Sequence, residues 1–315
     1  PPSTTTSRDW QAPVLSLPVA GLWWAFRRRV LRGRGGRAAE GPGPPGPAPP
    51  RLAPFRLLYL CVLVAVFTHP LLDACTSYGT QLLAPLTDAR YAWDAAPILD
   101  MIYTPILMLT LLACWLARRL SRGGAARATL AIGWAGLVLS SGYLAAGRVL
   151  HDRAVRQAVA LAGGAKVVAA DAYPMVGTIF LWRAVVETEQ QWIVTRIHHF
   201  RAGPPAPEHT RTVPRVDDRW VRTARQLDEV RTFDWFAGGR LRAEHEAVDG
   251  RHVVTFHDMR YGATPQDVES LWPARVVLDD EGNVLSFDRS QRAPRGPLGD
   301  YAARHQGSPL DAQGQ

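Results

Sequence analysis

Lysine is nearly missing from this chain. Of 36 basic residues only Lys166 is a lysine, and the rest are arginine. Cysteine is scarce too. Cys61, Cys75 and Cys114 are the only three, two of them sit inside apolar runs, and no CxxC occurs. That excludes a disulfide framework and leaves them as small buried residues. No HExxH, GxSxG, GxxxxGK[ST] or zinc-ribbon spacing appears, so the usual motif-borne chemistries have no foothold. The formal charge is +8 and the pI about 9.9, yet no recognition motif accompanies the charge, and nucleic acid is not expected as a partner.

What is present is an uneven placement of arginine beside long apolar runs. Residues 13–26, 57–72, 97–117 and 128–147 are apolar, and the last of these carries no charge. A bilayer core of about 30 Å needs roughly 20 such residues, so three to four membrane helices are expected, the first run being short for a span. Arg27 to Arg56 holds eight arginines, residues 118–127 hold four and residues 81–96 hold one. The positive-inside rule then puts the first two loops in the cytoplasm, and the 69–96 loop and everything after residue 150 outside. Residues 33–54, rich in Gly, Pro and Ala, read as a linker. The expected division is 1–32 (partial membrane or interfacial segment), 33–54 (linker), 55–150 (membrane region), 151–290 (soluble domain) and 291–315 (loose tail).

One polar stretch interrupts this pattern. Residues 68–80 read Thr-His-Pro-Leu-Leu-Asp-Ala-Cys-Thr-Ser-Tyr-Gly-Thr and follow an apolar run. His69 and Asp73 fall one helical turn apart, a spacing at which they either share a metal ion or bond to each other. Asp100, near the start of the third apolar run, is a carboxylate at a membrane helix end. It is either a functional residue or an interfacial cap.

Beyond residue 150 the pattern changes to that of an α+β domain. Residues 152–163 suit a short amphipathic helix ending at Gly163-Gly164. Strand-like runs follow at 166–170, 178–187 and 191–200, then a Pro-rich loop at 203–215 and a helix at 217–230 with Asp217 or Asp218 as its N-cap. Asp249-Gly250 and Asp280–Asn283 mark two antiparallel hairpins. The histidines here (His198, His199, His209, His245, His252 and His257) are read as surface strand residues.

The block THPLLDACTSYGTQLLAPLTDARYAWD, followed by ILDMIYTP, resembles the YdjM-like, LexA-regulated inner-membrane metal-dependent hydrolases of bacteria. The matching positions are His69, Asp73, Thr76, Tyr78, Gly79, Thr80 and Asp100. The resemblance implies a hydrolase of the bacterial inner membrane that uses a divalent ion, zinc or manganese. His69, Asp73 and Asp100 would be its metal ligands, with Tyr78 and Thr80 as donors to a developing oxyanion. A site at the membrane boundary would suit a lipid-linked or phosphorylated substrate among membrane lipids. The family's upstream H-R-G-x-T-H-S stretch has no counterpart here: no histidine precedes His69, and only Arg8 matches within Ser7 to Pro13. As it stands the ligand set is incomplete, so the chain is expected to be an N-terminally incomplete member or one that has lost its metal centre. The alternative function is a non-catalytic membrane protein whose extracytoplasmic domain binds a partner. A transporter is disfavoured by the absence of a repeated pair of broken spans.

Overall fold

The computed structural model describes residues 12–35, 54–120, 125–201, 203 and 205–289. The linker at 36–53 and the tail from 290 lie outside these residues, as does most of Ser7 to Pro13. Two compact units are formed, Pro1–Trp93 and Asp94–Gln315.

The first unit contains helices α1 (Ala12–Gly35) and α2 (Phe55–Ala74). The first three linker positions therefore belong to α1. Only Leu17–Phe26 of α1 is continuously apolar, whereas α2 is long and apolar enough to cross a membrane. Past α2 the chain doubles back: Thr80 and Tyr91 exchange both backbone hydrogen bonds, and the Trp93 N–H donates to the Ala74 carbonyl at 2.6 Å. Gly79 makes this fold-back possible. Its φ is +66°, and a Cβ there would lie 2.7 Å from the Tyr91 oxygen.

The second unit begins with an irregular segment leading to α3 (Tyr103–Leu120) and α4 (Ala125–Ala160). The expected third span, 97–117, is corrected here: its first six residues are not helical. Asp100 Oδ1 accepts the N–H groups of Ile102 and Tyr103 at 2.7 and 2.8 Å, which fixes the helix start after it. The separate helix expected at 152–163 is also corrected. No Pro or Gly interrupts residues 148–160, so α4 continues as one 36-residue helix. At about 1.5 Å per residue it runs roughly 54 Å, so a good part of it extends past a 30 Å core. Among the described residues α2 and α4 are the helices that could cross a membrane.

The α+β part is two antiparallel meanders. β1 (Val167–Pro174), β2 (Leu181–Thr188), β3 (Gln191–His198) and β4 (Thr210–Pro214) form one sheet in that order. β5 (Leu241–Val248), β6 (Arg251–Asp258), β7 (Ala274–Leu278) and β8 (Val284–Asp288) form the other. Strand alternation divides the labour of the first sheet. Trp182, Ala184 and Val186 pack on Ala154 and Ala158 of α4 and on Ala162 just beyond it, while Val185 and Val194 on the other face pack with Met259. The second sheet buries Val254, Phe256, Val276 and Leu278 against α5 (Arg219–Ala224) and α6 (Asp228–Phe236).

Three further expectations change. The Pro-rich stretch 203–215 contains β4, an edge strand, where Pro214 leaves no ladder bond missing. The helix at 217–230 is two short helices; Asp218 caps the first, accepting from Trp220 and Val221 at 2.9 Å. The histidines are not all surface residues. His257 is 1% exposed and bonds Glu244, while His245 and His252 link Asp218 to Asp280 through contacts of 2.6, 2.9 and 3.1 Å.

Candidate metal centre

Helix α4 carries His151 one turn past Gly147, at the end of its uncharged stretch. The ring is 5% exposed and lies edge-on to Trp182 of β2, with centroids 5.8 Å apart. Both ring nitrogens meet carboxylates. Nε2 lies 2.9 Å from Asp171 Oδ1 on β1, and Nδ1 lies 3.0 Å from Asp152 Oδ1. Asp152 is itself held by Arg148 at 2.6 Å.

Asp94 completes the group. Asp94, His151 and Asp171 each offer one ligand atom, and these atoms all lie within 4.8 Å of one another. Two backbone features bring Asp94 there. Its own φ is +49°, a left-handed conformation that Asp tolerates better than most residues. Next to it, the Ala95 carbonyl rests on the bare backbone of Gly147, which a Cβ would block. The segment is pinned further along, where Gly177 exchanges backbone hydrogen bonds with Leu99 and Met101. Such strained residues collect at functional sites.

Asp171 sits in a mixed field. Burial pushes its carboxyl up, but the hydrogen bond from His151 and the charges of His151 and Arg240 outweigh this and hold it below the ordinary range. The Arg240 guanidinium stands 3.7 Å from Asp171 Oδ2.

With metal–ligand bonds of about 2.0–2.2 Å, two ligand atoms near 3 Å apart subtend roughly a right angle or slightly more at the ion. The 2.9 Å Nε2···Oδ1 contact meets that condition. Nδ1 bonded to Asp152 is the carboxylate–histidine arrangement that orients a metal-binding imidazole. The residues fit.

The residues singled out from the sequence fall elsewhere. His69 Nε2 and Asp73 Oδ2 are 3.5 Å apart on α2, with side chains 71% and 47% exposed, an ion-pair distance rather than a hydrogen bond. Tyr78 and Thr80 belong to the turn pinned to Tyr91. Asp100 is 7% exposed; besides capping α3 it accepts the Tyr143 hydroxyl on Oδ2 at 2.7 Å. His151 and Asp171 were missed, because a lone His after a membrane run and an Asp within a short strand carry no local spacing signal.

Residues 10–153 match the family described as YdjM inner membrane protein. This part of the chain is similar to a YdjM membrane region. Membrane localisation follows from it. The match takes in Asp94 and His151 and stops before Asp171, so the third donor comes from the α+β part that the YdjM match does not reach. No curated protein and no solved structure matches the chain.

Proposed function

We propose that this YdjM-family membrane protein is a metal-dependent hydrolase whose divalent ion, zinc or manganese, is held by Asp94, His151 and Asp171. The convergence of these three donors within 4.8 Å, just past the uncharged stretch of α4, supports the reading. A divalent ion there supplies a water acidic enough to serve as nucleophile near neutral pH. The remaining tasks belong to the chain. Asp152 fixes the His151 tautomer, Trp182 shields the ring from solvent, and Arg240 balances Asp171 and offers positive charge to an anionic substrate.

The position suits a lipid-linked or phosphorylated substrate at the surface of the bacterial inner membrane. An α+β part outside the cytoplasm, the side that the arginine distribution favours, requires α3 to cross along with α2 and α4. His69 and Asp73 form a separate two-donor site in this reading, with Tyr78 and Thr80 as neighbouring donors, and Asp100 positions α3 rather than a ligand.

A second reading rests on the same atoms. The His151–Asp171 hydrogen bond satisfies both groups without an ion, which suits a non-catalytic membrane protein with a partner-binding extracytoplasmic domain. Hydrolysis of a panel of phosphoesters and lipid-linked esters by the detergent-purified chain separates the two. The hydrolase reading expects turnover that chelation abolishes, that zinc or manganese restores, and that Asp94→Asn and Asp171→Asn lose with unchanged circular dichroism. Turnover that is absent throughout, or that survives chelation, contradicts it.

A further inference from the structure

A second polar site lies at an open corner of the first sheet. β2 pairs with β3 as far as Leu181↔His198, but β4 pairs with β3 only from Gln191↔Pro214 to Thr195↔Thr210. Arg196, Ile197 and His198 therefore keep an edge that β4 does not cover. A cavity of about 330 Å³ opens there, lined by Gln157 of α4 and by Arg196, His198, Arg201 and His209 among others. No carboxylate lines it among the described residues.

Among the described residues no acid lines the cavity to balance its arginines. The Arg196 guanidinium is directed at the His209 ring, 2.8 Å from Nδ1, and not at an acid. Arg183 stands directly opposite Arg196 across the β2–β3 ladder, a like-charge pairing that costs stability. Arg183 spends its own donors on the carbonyls of Met259, Thr264 and Pro265, so it does not relieve that repulsion. On the neighbouring turn, burial first, then the charges of Arg153 and His198, push His199 down. Cations gathered around a concavity repel one another, and an anion entering it recovers that energy. Two guanidinium forks and two imidazoles favour phosphate, whose oxygens accept several directed N–H bonds at once.

An aromatic edge adjoins the cavity. Phe200 is 72% exposed and packs against Phe180 with ring centroids 4.6 Å apart. Aromatic residues beside arginine are the composition of a membrane interface. Gln157 lies about 15 Å along α4 from Gly147, at 1.5 Å per residue.

We propose that this cavity binds a phosphate group, carried either by a phospholipid headgroup or by a soluble phosphate compound. The site is separate from the candidate metal centre, and its test is run in chelator so that metal binding plays no part. Detergent-purified full chain is titrated calorimetrically with inorganic phosphate and with water-soluble dihexanoyl phosphatidylglycerol. Wild type is compared with Arg196→Gln, Arg201→Gln and Arg211→Gln, the last an exposed arginine of β4 outside the cavity. The proposal expects saturable binding that weakens at least tenfold in each cavity variant and stays within twofold of wild type in Arg211→Gln. Tighter binding of the lipid than of phosphate assigns the headgroup as source, and the reverse order assigns a soluble phosphate. No saturable binding of either probe to wild type overturns the proposal. So does equal weakening in all three variants, or unchanged affinity in folded Arg196→Gln and Arg201→Gln.

Discussion

Gly147 and Ala95 meet backbone to backbone: a Cβ on Gly147 would sit 1.8 Å from the Ala95 carbonyl oxygen. Asp94 precedes that carbonyl, and His151 stands one turn along the same helix. The glycine is thus a geometric condition for bringing the two together.

Gly147→Ala should therefore do more than crowd a helix. Overpacking of this kind costs about 1–3 kcal/mol, partly offset by alanine's better helix propensity. The Ala95 backbone must move, and Asp94 with it. Thermal unfolding of the purified chain reads the first effect, and metal affinity reads the second. Gly142→Ala, with nothing within 4 Å of the added Cβ, should leave both nearly unchanged.

Asp152 touches His151 on the ring nitrogen that does not face Asp171. Removing such a supporting carboxylate typically weakens a metal site about 10- to 100-fold. Asp152→Asn should show a loss in that range by competition with a chelating dye, while His151→Ala should abolish binding. Equal, undiminished affinity in both would remove His151 from the site.

Arg183 is 1% exposed, and burial pushes its guanidinium down to about 10. It bridges β2 to the 259–265 segment after β6 through three carbonyls. Arg183→Met should fill most of the space but strand those acceptors, a loss of about 1–3 kcal/mol for a buried unsatisfied group. Denaturant unfolding of the purified chain measures it.

Glu244 provides a pH signature. The hydrogen bond from His257, then Arg242 against the opposing effect of burial, lower its carboxyl to about 2. A folded-state value below the unfolded one means the stabilisation is complete above the unfolded pKa of about 4.3 and is lost as pH falls toward 2. The side chain is 40% exposed, so with solvent screening the loss should be about 1 kcal/mol. Glu244→Gln should flatten that part of the acid-unfolding curve, and a curve of unchanged slope would reject the assignment.

Local signals carried much of the fold. Asp249-Gly250 announced a hairpin, and both residues take the positive φ, 51° and 69°, that the tight turn requires. Asp218 was legible as an N-cap because its position and residue type suffice. β4 was hidden by its prolines, since only its place at a sheet edge makes Pro214 acceptable, and edge position is a tertiary fact. The continuity of α4 was hidden by a change in composition at residue 148 that has no backbone counterpart. The candidate centre was the least legible feature. Asp94, His151 and Asp171 come from a loop, a helix end and a strand, and only the Gly147 contact and the β1–α4 packing bring them together.

The central claim is that these three side chains hold a metal ion. Metal content of the detergent-purified full chain, after loading with zinc or manganese and desalting, tests it most directly. The account predicts about one ion per chain in wild type and in the folded His69→Ala variant, and loss of that ion in Asp94→Asn, His151→Ala and Asp171→Asn. A metal-free wild type, or an ion kept by all three variants, would contradict it.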